Sequence, residues 1–135
     1  ALAERSFPAE YGEAWNARQM ASMIALPSVA IYTATTNNSM VGFAITRTIV
    51  DECELLLIAV DPAHRRKGIA VQLIDRLTTD ARSAAITKLF LEMRDGNGAE
   101  RLYGRQGFEQ IGRRINYYRG SNSELYDAIT FAKSL

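Results

Sequence analysis

Val60-Asp61-Pro62-Ala63-His64-Arg65-Arg66-Lys67-Gly68-Ile69-Ala70 carries the chain from the end of one apolar segment to the start of another and fixes how the two are joined. Upstream, Glu54 to Val60 contains the longest uninterrupted apolar run, Leu55 to Val60. That run is too short for a helix and reads as a buried strand, which Asp61-Pro62 ends. Downstream, Ile69, Leu73, Leu77 and Ala81, with Ala70, Ile74 and Ala84 beside them, trace the core stripe of an amphipathic helix of about 16 residues. Lys88 to Met93 then alternates, with Leu89, Leu91 and Met93 on one face and Phe90 and Glu92 on the other. Strand, helix and strand at this spacing predict a right-handed βαβ unit with two parallel strands.

The flanks extend this unit into a sheet. Val29 to Thr35 is a β-branched run, Asn37-Asn38-Ser39 is turn chemistry, and Met40 to Val50 reads as a second strand. With a further turn at Asp51 and Glu52, three strands form an antiparallel meander. Before it, Glu10 to about Met23 reads as a helix, with Tyr11, Trp15 and Ile24 on one face, Pro8 ahead of it and Pro27 behind it. After the βαβ unit, a helix is expected from Ala99 to Arg105, capped by Asn97 with Glu100 in the capping-box position. Gly107 breaks it, and Phe108 to Arg114 and Glu124 to Ala132 form the closing strand pair. The expected fold is α/β: one domain over residues 1–135, a mixed central β-sheet flanked by helices. Trp15 reads as core, His64 as a loop residue and Cys53 as a turn or strand-edge residue, none with assigned chemistry.

Composition removes whole classes of function. Of 135 residues, 47% are hydrophobic and 23% charged, enough apolar side chain to exclude global disorder. No apolar stretch approaches the roughly 20 residues of a membrane helix, and no signal peptide is legible. One cysteine and one histidine build neither a disulfide framework nor a metal cluster. The expectation is a soluble, metal-free cytoplasmic protein without membrane or direct nucleic-acid partners. Net charge is +1 but unevenly spread. Three basic and seven acidic residues give −4 over Ala1 to Ala63, and twelve basic and six acidic give +6 over His64 to Arg119. A basic middle in a near-neutral chain suggests a local anionic ligand.

The loop from Asp61 to Gly68 is where such a ligand would sit. Helix N-termini present unpaired N–H groups and partial positive charge. Gly68 leaves that backbone open, Ala70 keeps the first turn thin, and Arg65, Arg66 and Lys67 add charge. A pyrophosphate cradle and an ordinary solvated turn both fit. The dinucleotide and P-loop fingerprints do not, since each needs more glycines.

Arg65-x-x-Gly68-x-Ala70 on a strand-to-helix loop resembles the Q/R-x-x-G-x-G/A signature of the Gcn5-related N-acetyltransferase (GNAT) superfamily. Ala44-Ile45-Thr46, Ile58-Ala59-Val60-Asp61-Pro62, Leu91-Glu92-Met93-Arg94, Asn97, Leu102-Tyr103, Gly107-Phe108 and Arg113-Arg114-x-Asn116-Tyr117-Tyr118 follow in order. Together they are similar to the RimI group, the bacterial ribosomal-protein alanine N-acetyltransferases, from about Phe7 onward. The resemblance implies an acyl-CoA N-acyltransferase fold whose loop amides at Arg65, Arg66, Lys67, Gly68, Ile69 and Ala70 hold the pyrophosphate of acetyl-coenzyme A. It also implies a strand ahead of the first helix, for which no matching residues are legible. Ala70-Val71 stands where relatives often carry Gly-Arg, one positive charge fewer; alanine is allowed by the signature, so weaker cofactor binding is expected at most.

Each remaining site residue has a structural and a functional reading. Ile58, Ala59 and Val60 belong to a buried strand, and the resemblance implies that their backbone also binds the pantetheine arm. Glu92 is a solvated strand tip or a base. An α-amine, with a pKa near 7.7–8.0, needs only modest help from one. Tyr103 is a core aromatic by helical spacing, and the resemblance implies that it protonates the leaving thiolate. Asn97 caps a helix and, by resemblance, also reaches coenzyme A. Arg113, Arg114, Tyr117 and Tyr118 are expected in the final turn, as hairpin packing or, by resemblance, as the border of an acceptor-peptide groove. The function implied is acetyl transfer from acetyl-CoA to the N-terminal alanine of a ribosomal protein. A small-amine acetyltransferase (polyamine or aminoglycoside) and a non-catalytic acyl-CoA-binding domain are the alternatives.

Overall fold

The computed structural model describes Arg18, Ala21, Ser22 and residues 25–135. The helix expected over Glu10 to Met23, Trp15 included, lies almost wholly outside the described residues. β1 (Val29–Thr36), β2 (Ser39–Ile49) and β3 (Glu52–Val60) form the antiparallel meander. A turn of 3₁₀ helix (Pro62–His64) leads to α1 (Ile69–Ser83), then β4 (Lys88–Arg94), α2 (Glu100–Arg105), β5 (Glu109–Arg119) and β6 (Leu125–Ser134). The six strands lie in the order β1-β2-β3-β4-β6-β5, with β3 and β4 parallel and every other pair antiparallel. Among the described residues no helix is long and apolar enough to cross a membrane.

Local chemistry accounts for most boundaries. Asn37 and Asn38 make a two-residue turn, both at positive φ (50° and 66°), which asparagine tolerates. Asp61 ends β3 by accepting the Ala63 N–H at 3.0 Å, and Pro62 needs no N–H partner. Elsewhere the structure corrects the expectation. The β2–β3 turn falls at Val50 and Asp51, one residue early, with Val50 at φ 57° and almost fully exposed. Cys53, expected at an edge, is buried within β3. On α1, Thr78 joins the buried stripe, and Ala84 sits exposed past the helix end. Glu100 makes no capping box with Asn97: the Asn97 N–H donates to Arg94 O at 3.0 Å, and its side chain instead accepts the Ala99 N–H at 2.9 Å.

The largest correction is in the closing hairpin. β5 runs on to Arg119, so Arg113, Arg114, Tyr117 and Tyr118 lie on the strand and not in the turn. The pairing passes from Arg114↔Ala128 to Tyr118↔Tyr126, setting Ile115, Asn116 and Tyr117 against Asp127 alone. Asn116 takes φ 54° and donates its N–H to Asp127 Oδ1 at 2.9 Å. A polar residue thus absorbs the bulge.

The sheet separates two apolar clusters. On one face Leu73, Ile74, Leu77 and Ala81 of α1 and Tyr103 of α2 pack on Ala44, Cys53, Leu55, Leu89, Leu91, Met93, Ile129 and Phe131. Phe43, Ile45, Leu57 and Ala59 form the other. β3 changes allegiance along its length. Leu55 packs in the first cluster, Leu56 and Leu57 both join the second, and Ile58 returns to the first. Leu56 is an extra residue between the pairs Leu55↔Thr46 and Leu57↔Ile45. Such a bulge reverses which side chains face which cluster.

Two contacts fix α1 against the meander. Gly42 of β2 lies under the helix start, where a Cβ would stand 3.0 Å from Ile69 Cγ2 and 3.2 Å from the Ala59 carbonyl. Replacement by alanine is expected to destabilise the protein by about 1–3 kcal/mol through overpacking, read as a lower urea midpoint; an unchanged midpoint would contradict this close approach. In the last turn of the helix, the Tyr32 hydroxyl of β1 donates to Asp80 Oδ2 at 3.0 Å. Burial, then that hydrogen bond, push the phenol up to about 12. The fold therefore favours the neutral phenol. Its stabilising contribution is complete below the unfolded value near 10 and is lost as pH rises through about 12. Tyr32→Phe is expected to flatten the fall of the urea midpoint between these limits, and an identical alkaline slope in both proteins would show that the bond contributes nothing.

Candidate active site

The start of α1 is an open helix end. Gly68 sits at φ 78° and contributes no side-chain cap, while its carbonyl accepts the first helical bond from the Gln72 N–H at 3.0 Å. A Cβ added to Gly68 would meet nothing within 4 Å, so the approach to the first-turn N–H groups is clear. Arg65, Arg66 and Lys67 are exposed around it, with Arg66 itself at φ 64°, and Ile69 and Ala70 are half-buried beneath. Open amides, a helix dipole and three cations fit a diphosphate.

The second part of the site is a gap in the sheet. β3 and β4 are paired at only four positions, from Glu52↔Lys88 to Leu55↔Leu91. Beyond these β4 continues along β6 alone and β3 along β2 alone. The strands part at the Leu56 bulge, on the side where α1 begins. Ile58 and Val60 are half-buried along this stretch, whereas the Ala59 side chain is buried.

Glu92 is the first residue of β4 past the last β3 pair. Its Oε2 lies 3.1 Å from Arg114 Nε and accepts from Thr130 Oγ1 at 3.4 Å, with 19% of the side chain exposed. Beside it, Arg113 Nη1 meets Asp95 Oδ2 at 2.9 Å and Asp127 Oδ2 at 2.6 Å. Hydrogen bonds to Asp95, then Asp127, raise the proton affinity of Arg113. The Asn116 N–H, then Arg113, hold the Asp127 carboxyl below the usual carboxylate range. The two adjacent arginines thus face different partners, as strand alternation requires. Tyr117 and Tyr118 meet edge to face at 5.2 Å, and Tyr117 is the more exposed.

Tyr103 is 5% exposed, its ring against Phe108 and Phe131 at 5.9 and 6.4 Å. It packs in the cluster of Leu91 and Met93, the face of β4 opposite Glu92. The structure therefore brings Glu92, Thr130, Arg114 and Tyr117 together on one face, places Tyr103 on the other, and sets Asn97 in the loop between β4 and α2. Sequence reasoning missed Leu56, Gly42, Thr130 and the Asp95–Arg113–Asp127 clasp. Only Gly42 carried a local signal, a glycine inside a strand.

The acetyltransferase (GNAT) family model matches residues 2–108. The chain belongs to this family. The [ribosomal protein bS18]-alanine N-acetyltransferase of Haemophilus ducreyi is 36% identical over 99 residues, 73% of this chain and 68% of that protein. That of Escherichia coli is 37% identical over 99 residues, 73% and 66% of the two chains. The match thus spans about two thirds of these curated relatives. The crystal structure of the ribosomal-protein-S18-alanine N-acetyltransferase from Escherichia coli superposes with a TM-score of 0.88 at 30% identity, covering 98% of this chain and 83% of that one.

For this acetyltransferase the open helix end sets a clear expectation. Gly68→Glu places a carboxylate over the first-turn amides and is expected to abolish coenzyme A binding in calorimetry. Gly68→Ala adds only the strain of a left-handed alanine, about 1–3 kcal/mol of stability, and should still bind. Equal coenzyme A affinity in the glutamate variant and the parent would exclude this loop as the phosphate site.

Proposed function

We propose that this acetyltransferase transfers acetyl from acetyl-coenzyme A to the α-amine of a protein N-terminus, with the N-terminal alanine of a ribosomal protein as acceptor, in the cytoplasm. The observation that carries the reading is the place of Glu92, a carboxylate on the first β4 residue beyond the parting of β3 and β4. The names of the bS18-alanine N-acetyltransferases, similar over most of the chain, support the choice of acceptor.

Acetyl-coenzyme A supplies an activated acyl group as a thioester. The Arg65–Ala70 loop binds its diphosphate, and the backbone of Ile58, Ala59 and Val60 on the open side of β3 pairs with the extended pantetheine arm. Asn97 holds the arm's far side from the β4–α2 loop. Glu92 Oε2 accepts a proton from the acceptor ammonium, leaving a neutral amine to attack. The Tyr103 hydroxyl donates a proton to the departing thiolate, a weak base with a pKa near 8.5. Glu92 and Tyr103 lie on opposite faces of the sheet, so in this reading the amine enters from one side and the thiol leaves on the other. Arg113, Arg114, Tyr117 and Tyr118 border the acceptor groove from β5.

Mass spectrometry on two matched peptides tests this, one with a free N-terminal alanine and one N-terminally blocked with internal lysines. Acetylation is expected on the free peptide alone. Glu92→Gln should lower its kcat by about 10²-fold, with the deficit shrinking at high pH where the amine is already neutral. Acetylation of the blocked peptide, or of spermidine in preference to the free peptide, would replace this acceptor with an ε-amine or a small amine.

A further inference from the structure

Arg114 holds two seats at once. Its Nε lies 3.1 Å from Glu92 Oε2, and its guanidinium carbon stands 5.1 Å from the centre of the Tyr117 ring. The Arg114 side chain is 62% exposed against 19% for Glu92, so a cation largely in water roofs a carboxylate largely out of it. Its neighbour is held far more tightly. Arg113 is clasped by Asp95 and Asp127, and the same Asp127 fixes the bulge backbone at Asn116. The β5 main chain beside Arg114 is therefore anchored, while the Arg114 head group rests on one partly exposed ion pair and one ring face.

We propose that Arg114 is a displaceable counter-ion of Glu92, and that acceptor binding is an exchange of cations. The guanidinium occupies the place on the carboxylate that the acceptor ammonium takes. The proposal rests on Glu92 being the group that receives the acceptor's proton. The pair is open to water on the Arg114 side, which weakens it, and the Tyr117 face, already in contact with the guanidinium, retains it when Glu92 is released. The exchange is one charge for one charge. An acceptor end without a positive charge does not displace Arg114 and finds Glu92 covered. The other charged groups on this face of β4 are directed elsewhere: Arg94 to the Tyr126 ring at 5.4 Å and the Asp95 carbonyl at 2.9 Å, and Lys88 to the Phe90 ring at 5.6 Å and Glu52 at 3.9 Å. Thr130, on the β6 side, is uncharged and donates to the same Oε2. Arg114 is thus a positioning residue with a sign opposite to that of a substrate clamp.

Steady-state kinetics with the free N-terminal alanine peptide separate these roles. Arg114→Gln is expected to lower the peptide KM about two- to five-fold, with the effect in KM rather than kcat, because a competing cation has gone. Arg114→Lys keeps the cation and should return KM toward the parent value. In a Glu92→Gln background, where no carboxylate is left to cover, Arg114→Gln should no longer lower KM. A KM that rises or stays unchanged in Arg114→Gln overturns the exchange and leaves Arg114 as a clamp on the peptide or a bystander. Turnover of Glu92→Gln at the parent rate would instead overturn the role of Glu92.

Discussion

Everything that distinguishes this sheet from a plain α/β sheet depends on the extra residue at Leu56. A parallel pair gains a hydrogen-bonded ladder from every added residue, so β3 and β4 would continue together unless something redirected one of them. The bulge does so. It turns the apolar alternation of β3 over, so that Leu57 and Ala59 serve the second cluster while Leu55 stays in the first. The pairing with β4 ends at the residue before it. Backbone groups on the open flanks then need partners other than a neighbouring strand. An extended ligand with amide groups of its own can supply them, and a compact one cannot. The gap selects for shape before any side chain is considered.

Closing such a gap at its far end is the task of the last two strands. β6 runs beside β4 along its whole length and carries Thr130 to Glu92 and Asp127 to the Asp95 loop. The Asp127 main chain is as important as its carboxylate, since its carbonyl accepts the Asp95 N–H at 2.8 Å. One aspartate thus ties together the end of β4, the bulge of β5 and the guanidinium of Arg113. With the frame held there, the adjacent Arg114 adds no tie of its own to the backbone, and its mostly exposed side chain is left to Glu92 and Tyr117.

Much of this architecture was legible in the residues. The meander, the parallel crossover and the open helix end followed from Asn37-Asn38, from the i, i+4 stripe of α1 and from Asp61-Pro62 before Gly68. These are local signals, set by turn chemistry and periodicity. The bulge at Leu56 had none, because in an unbroken apolar run a one-residue slip exchanges one buried leucine for another. The full length of β5 was hidden for a related reason. Asn116 reads as turn chemistry, yet in the structure its left-handed conformation makes a bulge within a continuing strand, fixed by Asp127 from the facing strand. Cys53 was misplaced because the turn before it was set one residue late. Glu92 was legible as a candidate and its environment was not, since Arg114 and Thr130 reach it from strands distant in sequence.

The modest surroundings of Glu92 bear on which amine this site can serve. At pH 7 an α-amine is neutral about one time in ten, and a lysine ε-amine about one time in 2,500. The difference amounts to about 3.5 kcal/mol that an ε-amine site must recover by desolvating the ammonium or by surrounding it with several carboxylates. Neither device is present among the described residues around Glu92: its side chain keeps a fifth of its surface in water, and its nearest charged neighbour is a cation. A single, partly solvated carboxylate already bearing a counter-ion is matched to an amine that gives up its proton readily. It is matched as well to an acceptor that arrives with one positive charge on a slender end, because only that charge has to be exchanged. Proton affinity and the single charge to be exchanged at Glu92 therefore favour the same acceptor class, a slender end that carries one α-ammonium.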